Sequence, residues 1–298
     1  MQKVIYATCL SCLLSTSVLA GETSHYVPGV EGIKAASIPP PGSYSRTYFS
    51  FYHADTLMNE NGDELDVDFD IDVLALSERL VWVSDKESWG GGRLAADMVI
   101  PFVDTDLSIG AFGVDEKDSG MADIFIEPFI LTWNEPRYDF AFGGGLYMPT
   151  GSYDKLNSAS VGKDFWTLML TVGGTYYLDI SRSWAASVLA RYEINSEKDE
   201  TAVTPGDNFS FEWGISNAIN PAWEVGLTGY ASWQVSDDKG SDVTWDPSVH
   251  DQVYAIGPEI STFIPDMSLI FSLRALWEFG AEDRSEGSMM TMTLTKIF

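Results

Sequence analysis

Cysteine, basic residues, histidine and long apolar runs are all scarce in this 298-residue chain. The 2 cysteines, Cys9 and Cys12, lie close to the N-terminus, so the rest of the chain offers no thiol for disulfides, catalysis or metal binding. Lys and Arg number 17 against 44 Asp and Glu. The resulting net charge of −27 excludes nucleic acid as a partner, because neutralising phosphates requires clustered basic side chains.

The first 20 residues have the pattern of a secretory signal peptide. Lys3 supplies the positive charge, residues 4–18 supply the apolar region, and small residues end at Ala20 before Gly21. A membrane anchor is the less favoured interpretation, because the segment is short and rich in Ser and Thr. Its removal would leave a chain without cysteine, which suits export through an oxidising periplasm.

After Gly42 the sequence settles into short segments in which apolar and polar residues alternate. Each segment has about 10–14 residues, enough to cross a bilayer as a tilted strand. The predicted fold is therefore all-β: a transmembrane, antiparallel, up-and-down β-barrel of about 12 strands over residues 42–298. The predicted strands are 43–53, 71–83, 93–104, 121–133, 139–149, 165–178, 184–194, 208–219, 223–235, 252–263, 268–280 and 289–298.

The connections between these segments alternate between long polar stretches and tight turns, as expected for outer loops and periplasmic turns. The predicted outer loops are 54–70, 110–120, 151–164, 195–208, 236–251 and 281–288. The sequence closes on Phe298, and a terminal aromatic residue is what outer-membrane barrels present to the barrel assembly machinery. Lys296 departs from that pattern, although its long side chain can reach the membrane interface.

Residues 21–41 lack the alternation and end in a proline-rich stretch before Gly42. They are interpreted either as a periplasmic extension or as a plug segment folded into the lumen, and the sequence leaves both open.

Within a predicted strand, the two faces differ sharply in polarity. In 208–219, Phe209 and Phe211 share one face with Trp213, whereas Ser210 and Glu212 lie on the other. A charge on the lipid face would cost about 2–4 kcal/mol at mid-bilayer, so the charged face is predicted to line the lumen.

One pair of neighbours breaks this rule, because adjacent residues of a strand point to opposite faces. Glu78 and Arg79 are such neighbours and cannot both face inward. A β-bulge or a position near the membrane interface would accommodate them.

The predicted inward charges and aromatic side chains are the candidate functional residues. The charges are interpreted either as an ion-pair network that fills the lumen or as a polar path, and the aromatics either as packing or as the wall of a site for a small hydrophobic ligand. The candidates are Arg46, Tyr48, Tyr52, Asp97, Asp123, Phe125, Glu127, Phe129, Tyr147, Tyr177, Arg191, Glu193, Glu212, Glu224, Tyr230, Glu259, Arg274 and Glu278.

Several stretches resemble one known family over nearly the whole mature chain. They include Arg79-Leu-Val-Trp-Val-Ser-Asp85, Pro101-Phe-Val-Asp-Thr-Asp-Leu107 and Asp123-Ile-Phe-Ile-Glu-Pro-Phe129. On these residues the chain is similar to the phenol meta-pathway degradation-type, or SphA-like, outer-membrane proteins. The resemblance implies a transporter: a passive outer-membrane channel for small hydrophobic or aromatic compounds. It supplies no catalytic motif, and no cofactor or catalytic residue is expected.

Two other functions remain open at this point. The barrel could be a non-conducting structural or binding protein whose acidic loops contact lipopolysaccharide, cations or a partner. The acidic stretch 59–72 lacks calcium-loop spacing, so a solvated loop is preferred over weak cation binding, and no metal is expected. A barrel hydrolase would need His53 or His250 beside a serine, and no serine-hydrolase motif occurs.

Overall fold

The computed structural model describes residues 23–298, and the predicted signal peptide lies outside the described residues. The described chain forms a sheet of 13 strands and three short 3₁₀ turns. The strands are β1 (Gly42–Leu57), β2 (Phe69–Glu87), β3 (Arg93–Ile109), β4 (Val114–Met121), β5 (Ile124–Glu135), β6 (Tyr138–Met148), β7 (Thr167–Tyr177), β8 (Trp184–Asn195), β9 (Asn208–Ala218), β10 (Trp223–Gln234), β11 (Gln252–Ile264), β12 (Leu269–Glu282) and β13 (Ser285–Ile297).

The sheet closes into a ring, because β1 pairs with β13 on one side and with β2 on the other, and β2 continues to β3. Every pairing is antiparallel between neighbours in the ring, and β3 is followed there by β5. The ring therefore has 12 strands, with β4 as an additional strand. The predicted transmembrane up-and-down barrel is confirmed.

The predicted loop 110–120 is wrong in one respect, because most of it is the strand β4. It forms a hairpin with the outer half of β3, turned at Gly113 in the left-handed conformation at φ 67°. The predicted loop 281–288 is also wrong: β12 runs to Glu282 and β13 begins at Ser285, leaving a tight turn. We call the end of the barrel that carries the longer loops the outer end, and the opposite end the periplasmic end.

The outer surface of the ring is apolar and carries exposed aromatic residues near both ends. Trp166 and Trp277 lie near the outer end, and Trp184, Trp223 and Phe298 lie near the periplasmic end. Amphipathic rings at two levels are what a membrane barrel places at the two lipid–water interfaces. Among residues 23–298, no helix has the length and hydrophobicity needed to span a membrane.

Glu78 and Arg79 are accommodated without the predicted bulge, because the β1–β2 and β2–β3 registers run unbroken past them. Arg79 faces the lumen and is buried. Glu78 lies on the outer wall, where it accepts hydrogen bonds from the hydroxyls of Ser45 and Thr47, the latter at 2.6 Å. The hydroxyls of the neighbouring strand therefore replace water around this carboxylate.

Candidate functional site in the barrel lumen

Residues 23–41, which we call the lumen segment, lie inside the barrel along its length. At the outer end, the His25 ring contacts Asp123 at 2.9 Å and Thr167 at 2.7 Å. At the periplasmic end, the hydroxyl of Ser37 donates to Asp139 at 2.9 Å. Polar contacts at both ends fix the course of a segment that has no helix or strand of its own.

Glycines in the barrel wall make room for the lumen segment. A Cβ atom at Gly214 would lie 2.6 Å from the carbonyl oxygen of Ile33, and one at Gly173 would lie 2.8 Å from the Cβ of Ala36. A Cβ atom does not approach other heavy atoms this closely, so any other residue there would push the segment away. The inner face of β7–β11, which we call the segment wall, is therefore shaped to hold this part of the chain.

Glu31 is the centre of the lumen's charge network. Its carboxylate accepts hydrogen bonds from the guanidinium groups of Arg79 at 2.7 Å, Arg191 at 2.9 Å and Arg46 at 3.0 Å. Arg46 and Arg79 belong to β1 and β2, whereas Arg191 belongs to β8. Glu31 therefore connects the segment to opposite sides of the barrel, and we call these four residues the Glu31 cluster.

The electrostatics of the cluster favour the ionised form of Glu31, which lies in the lumen segment and not in a strand. Burial by itself would raise the pKa of the Glu31 carboxyl, and the positive charges of Arg79, Arg191 and Arg46 oppose this. The net result is a pKa well below the usual value for glutamate. Glu31 therefore carries a full negative charge at neutral pH.

Further carboxylates extend the network outward from the cluster. The Nε of Arg79 donates to Asp97 at 2.9 Å, and Arg191 donates to Glu212 at 3.3 Å. Tyr26 covers Arg191 with its ring, 3.9 Å from the guanidinium carbon, while its hydroxyl donates to Glu212. Arg79, Asp97, Arg191 and Glu212 thus each have an opposite charge beside them, as burial in a low-dielectric interior requires.

The segment wall also binds the backbone and side chains beyond Glu31. The backbone N–H of Ile33 donates to Glu259 at 3.0 Å, and Glu259 also accepts from Arg274 at 3.0 Å. The ammonium of Lys34 contacts Glu224 at 2.8 Å in a partly exposed ion pair. Near the start of the segment, the backbone N–H of Tyr26 donates to the buried Glu193 at 3.0 Å.

A cavity of about 320 Å³ lies between the lumen segment and the inner face of β1–β3, which we call the pocket wall. Small apolar residues of this wall, including Val73, Ala75, Val99 and Val103, form one side of the cavity. Aromatic and sulfur-containing side chains form much of the remaining lining, namely Tyr48, Tyr52, Phe125, Tyr147, Met169 and Met289. Such a lining suits a small hydrophobic ligand.

A second, more polar cavity of about 570 Å³ lies toward the periplasmic end. Its lining includes Glu127, Asp139, Tyr177 and the proline-rich end of the lumen segment. Glu31, Arg79 and Arg191 line both cavities. The Glu31 cluster therefore stands between the apolar cavity and the polar one.

Most of the side chains proposed from the sequence as lumen-facing lie in the interior, but they fall into separate groups. Arg46, Asp97, Arg191, Glu193, Glu212, Glu224, Glu259 and Arg274 take part in the network around the lumen segment. Tyr52 and Tyr230 donate to Glu278 at 2.8 Å and 2.6 Å, away from that network. Asp123 precedes β5 and holds His25.

Phe129 is the exception among the proposed residues, because it is 46% exposed and lies on the outer face. The pairing of β5 with β6 shifts register between Ile126 and Phe129, so the inner face passes from Glu127 to Ile130. Pro128 sits in this interval and has no N–H for the ladder, which accounts for the irregularity.

Three important lumen residues were missed from the sequence: Arg79, Glu31 and Tyr26. Arg79 was recognised as one of two conflicting neighbours. In the strand pairing it lies opposite Arg46, and Asp97 pairs with Val81, two residues further along the same face of β2. That pairing was the signal that could have placed Arg79 inside. Glu31 and Tyr26 carry no periodic signal, because the lumen segment has no regular structure.

The two histidines considered for hydrolysis are both paired with carboxylates. His53 contacts Asp72 at 2.8 Å, and His250 contacts Asp237 at 2.9 Å. Neither contact involves a serine hydroxyl, which a serine hydrolase would need as the nucleophile.

A closed barrel with an apolar exterior and a charged interior is the architecture of a bacterial outer-membrane β-barrel. The chain belongs to the family described as "Putative MetA-pathway of phenol degradation", whose model matches residues 54–294. This confirms the family resemblance inferred from the sequence. A comparison with curated protein sequences finds no significant match.

Solved structures give the same architecture at low sequence identity. The COG4313 outer membrane channel from Pseudomonas putida F1 is 16% identical, with a TM-score of 0.76 over 92% of this chain and 100% of that one. The β domain of the Bordetella autotransporter BrkA is 13% identical, with a TM-score of 0.52 over 87% and 100% of the two chains. These similarities concern the fold.

Proposed function

We propose that this protein is a passive outer-membrane channel for small hydrophobic or aromatic compounds, such as the phenol-like substrates of degradation pathways. The observation that carries the proposal is the apolar cavity of about 320 Å³ inside the barrel, beside the Glu31 cluster. Family membership links the chain to phenol degradation, and a barrel of similar fold is described as an outer membrane channel. The proposed role is transport without catalysis or a cofactor.

In this proposal residues 1–20 are the cleaved signal peptide, residues 21–41 are a plug, and residues 42–298 are the channel. A substrate would enter the apolar cavity from the outer end and contact the aromatic side chains of the lumen. Because Glu31, Arg79 and Arg191 line both cavities, the substrate reaches the periplasmic cavity only when the plug shifts around Glu31. The lumen-facing residues therefore set both the size of the substrate and the condition for its passage.

The proposal also assigns the protein's partners. The exposed apolar belt contacts outer-membrane lipid, and the acidic outer loops lie among lipopolysaccharide head groups. Phe298, on the membrane rim of the periplasmic end, is the residue that we assign to recognition by the barrel assembly machinery. Its backbone N–H is bonded to Ser43 at 3.1 Å, so recognition would precede closure of the ring between β1 and β13.

The test is substrate uptake by intact cells, because small aromatics cross bare lipid vesicles without a channel. A Gram-negative host lacking the gene is complemented with wild type, with Ala75→Trp or with Leu76→Trp. Ala75 faces the apolar cavity, whereas Leu76 lies exposed on the outer face of the same strand. Initial uptake of radiolabelled phenol is measured at low and at saturating concentration.

We expect Ala75→Trp to reduce low-concentration uptake to the level of the deletion strain, because the indole ring fills the cavity. Leu76→Trp should transport like wild type, and all strains should be equal at saturation. Equal low-concentration uptake by the deletion strain and wild type would overturn the proposed transport. Wild-type uptake by Ala75→Trp would instead remove this cavity from the path.

A non-conducting structural or binding barrel is the second candidate, and the occupied lumen favours it. The lumen segment lies between the two cavities, where Glu31 is paired with three arginines of the barrel wall. Uptake that does not depend on the protein, together with an absence of conductance steps in planar bilayers, would support this candidate over the channel.

A further inference from the structure

We propose that His53, Asp70 and Asp72 form a binding site for a divalent transition-metal ion on the outer face of β1 and β2. The site is separate from the lumen. His53 and Asp72 face each other directly across the β1–β2 pair. Asp70 is two residues from Asp72 on the same strand, so its side chain lies on the same face.

The three side chains already converge. His53 Nδ1 lies 2.8 Å from Asp72 Oδ1, and one ligand atom from each of the three residues lies within 4.8 Å of the others. One imidazole nitrogen and two carboxylate oxygens would occupy one face of a metal ion. All three residues are partly or fully exposed, so water could occupy the remaining positions. Both strands are paired on each side, which fixes the backbone that carries the ligands.

The local charge balance gives an independent reason for a cation here. A single row runs across four strands, in which His53 pairs with Asp72, Asp72 with Asp106, and Asp106 with Lys117. Lys117 forms an exposed ion pair with Asp106 at the end of the row away from His53, so it offsets only part of the negative charge of the row. Asp72 and Asp106 are like charges directly opposite each other, an arrangement that destabilises a sheet. A bound cation beside Asp72 and Asp70 would offset that repulsion.

The position of the site in the membrane is defined by the next row of residues. Phe51 and Leu74 face each other one step closer to the barrel centre and are 42% and 57% exposed. They belong to the apolar belt that contacts lipid tails. The metal site therefore lies just above the belt, at the level of the outer-leaflet head groups.

The donor set discriminates among metals. Calcium and magnesium prefer sites built from oxygen alone, whereas an imidazole nitrogen with carboxylates suits zinc and similar ions. We therefore expect zinc to bind more tightly than calcium. The occupant we assign is a first-row transition-metal ion, with Zn²⁺ as the probe.

Calorimetric titration of the metal-stripped, detergent-solubilised mature protein with Zn²⁺ alone tests this site. His53→Ala and Asp70→Asn each remove one donor, and Asp70→Asn keeps the shape of the side chain. His250→Ala is the matched control, because His250 is also partly exposed and contacts a carboxylate, Asp237, at 2.9 Å. Slower migration after boiling, seen on a gel, establishes that each variant is folded.

We expect one Zn²⁺ per wild-type protein, with affinity at least about tenfold lower in His53→Ala and Asp70→Asn, since losing one ligand weakens a metal site at least as much as losing a supporting contact. His250→Ala should bind like wild type. Three results would overturn the proposal: no Zn²⁺ binding by wild type, unchanged binding by both folded donor variants, or calcium binding as tight as zinc.

Discussion

The segment wall and the pocket wall line the same lumen, but the first is covered by residues 23–41 and the second borders a cavity. The segment wall combines glycines with carboxylates, and residues 23–41 occupy it through contacts such as those of Ile33 with Gly214 and Glu259. The pocket wall carries small apolar side chains, and beside it lies an apolar cavity. The segment wall is thus complementary to the protein's own chain, whereas the apolar part of the pocket wall is complementary to a small hydrophobic molecule.

The Glu31 cluster lies where the two walls meet, because Arg46 and Arg79 come from the pocket wall and Arg191 comes from the segment wall. Loss of one partner of a buried ion pair strongly destabilises the protein. The intact pair nevertheless contributes little net free energy to folding, because both charges lose their water when they are buried. A plug held by such contacts is well positioned without being held by a large free energy. A segment that closes the lumen reversibly needs this combination of a defined position and a small stabilising free energy.

Removing the charge that joins the two walls should have the largest effect. In Glu31→Ala, the arginines lose their shared carboxylate, and we expect a loss of about 3–5 kcal/mol in stability. The plug should also loosen, so that trypsin cleaves after Lys34. Heat-induced unfolding followed by gel shift and mass spectrometry of the digest measure both effects. Glu60→Ala, in an exposed outer loop, should change neither.

Filling the space that the segment wall leaves for the plug should have an intermediate effect. Gly214→Val places side-chain atoms against the Ile33 carbonyl and should cost about 1–3 kcal/mol, as overpacking does. Gly144→Val is the matched control, because the nearest atom to its new Cβ lies 3.5 Å away. Trypsin cleavage after Lys34 should increase in Gly214→Val only; equal resistance in both variants would contradict the close packing of the plug.

Breaking the partly exposed ion pair on the segment wall should have the smallest effect. Lys34→Ala removes the contact with Glu224, which lies at 2.8 Å and is partly exposed to solvent. Such pairs contribute about 0–1 kcal/mol, so the unfolding midpoint should barely move. A loss as large as that of Glu31→Ala would show that the plug's stability does not depend mainly on the Glu31 cluster.

The barrel could be predicted from the sequence because each strand separates lipid-facing from lumen-facing residues with a period of two. The prediction fails where that period is interrupted or carries no information. Phe129 follows a register shift near Pro128, and β4 is polar on both faces and resembles a loop. Neither the register shift nor β4 changes the local amino-acid composition enough to be recognised unless the strand pairing is known.

The lumen could be predicted only in part, for a related reason. Strand parity identified Arg191 and Glu212 as inward, but the residue that organises them, Glu31, lies in a segment without periodicity. Its partners come from β1, β2 and β8, which are brought together only when the barrel closes. Long-range contacts of an irregular segment leave no local signal in the sequence.

The most direct test of the account is to hold the plug in place with a reversible crosslink. Residues 21–298 contain no cysteine. The backbone N–H of Ala36 donates to the Ser187 hydroxyl at 3.2 Å, so Ala36→Cys with Ser187→Cys is the pair chosen to join the lumen segment to β8. Phenol uptake by intact cells at low concentration is measured before and after reduction, with Ala36→Cys alone as the control. We expect slow uptake by the oxidised pair and wild-type uptake after reduction. Equal uptake in both states would contradict it, because substrate would then pass without any movement of the plug.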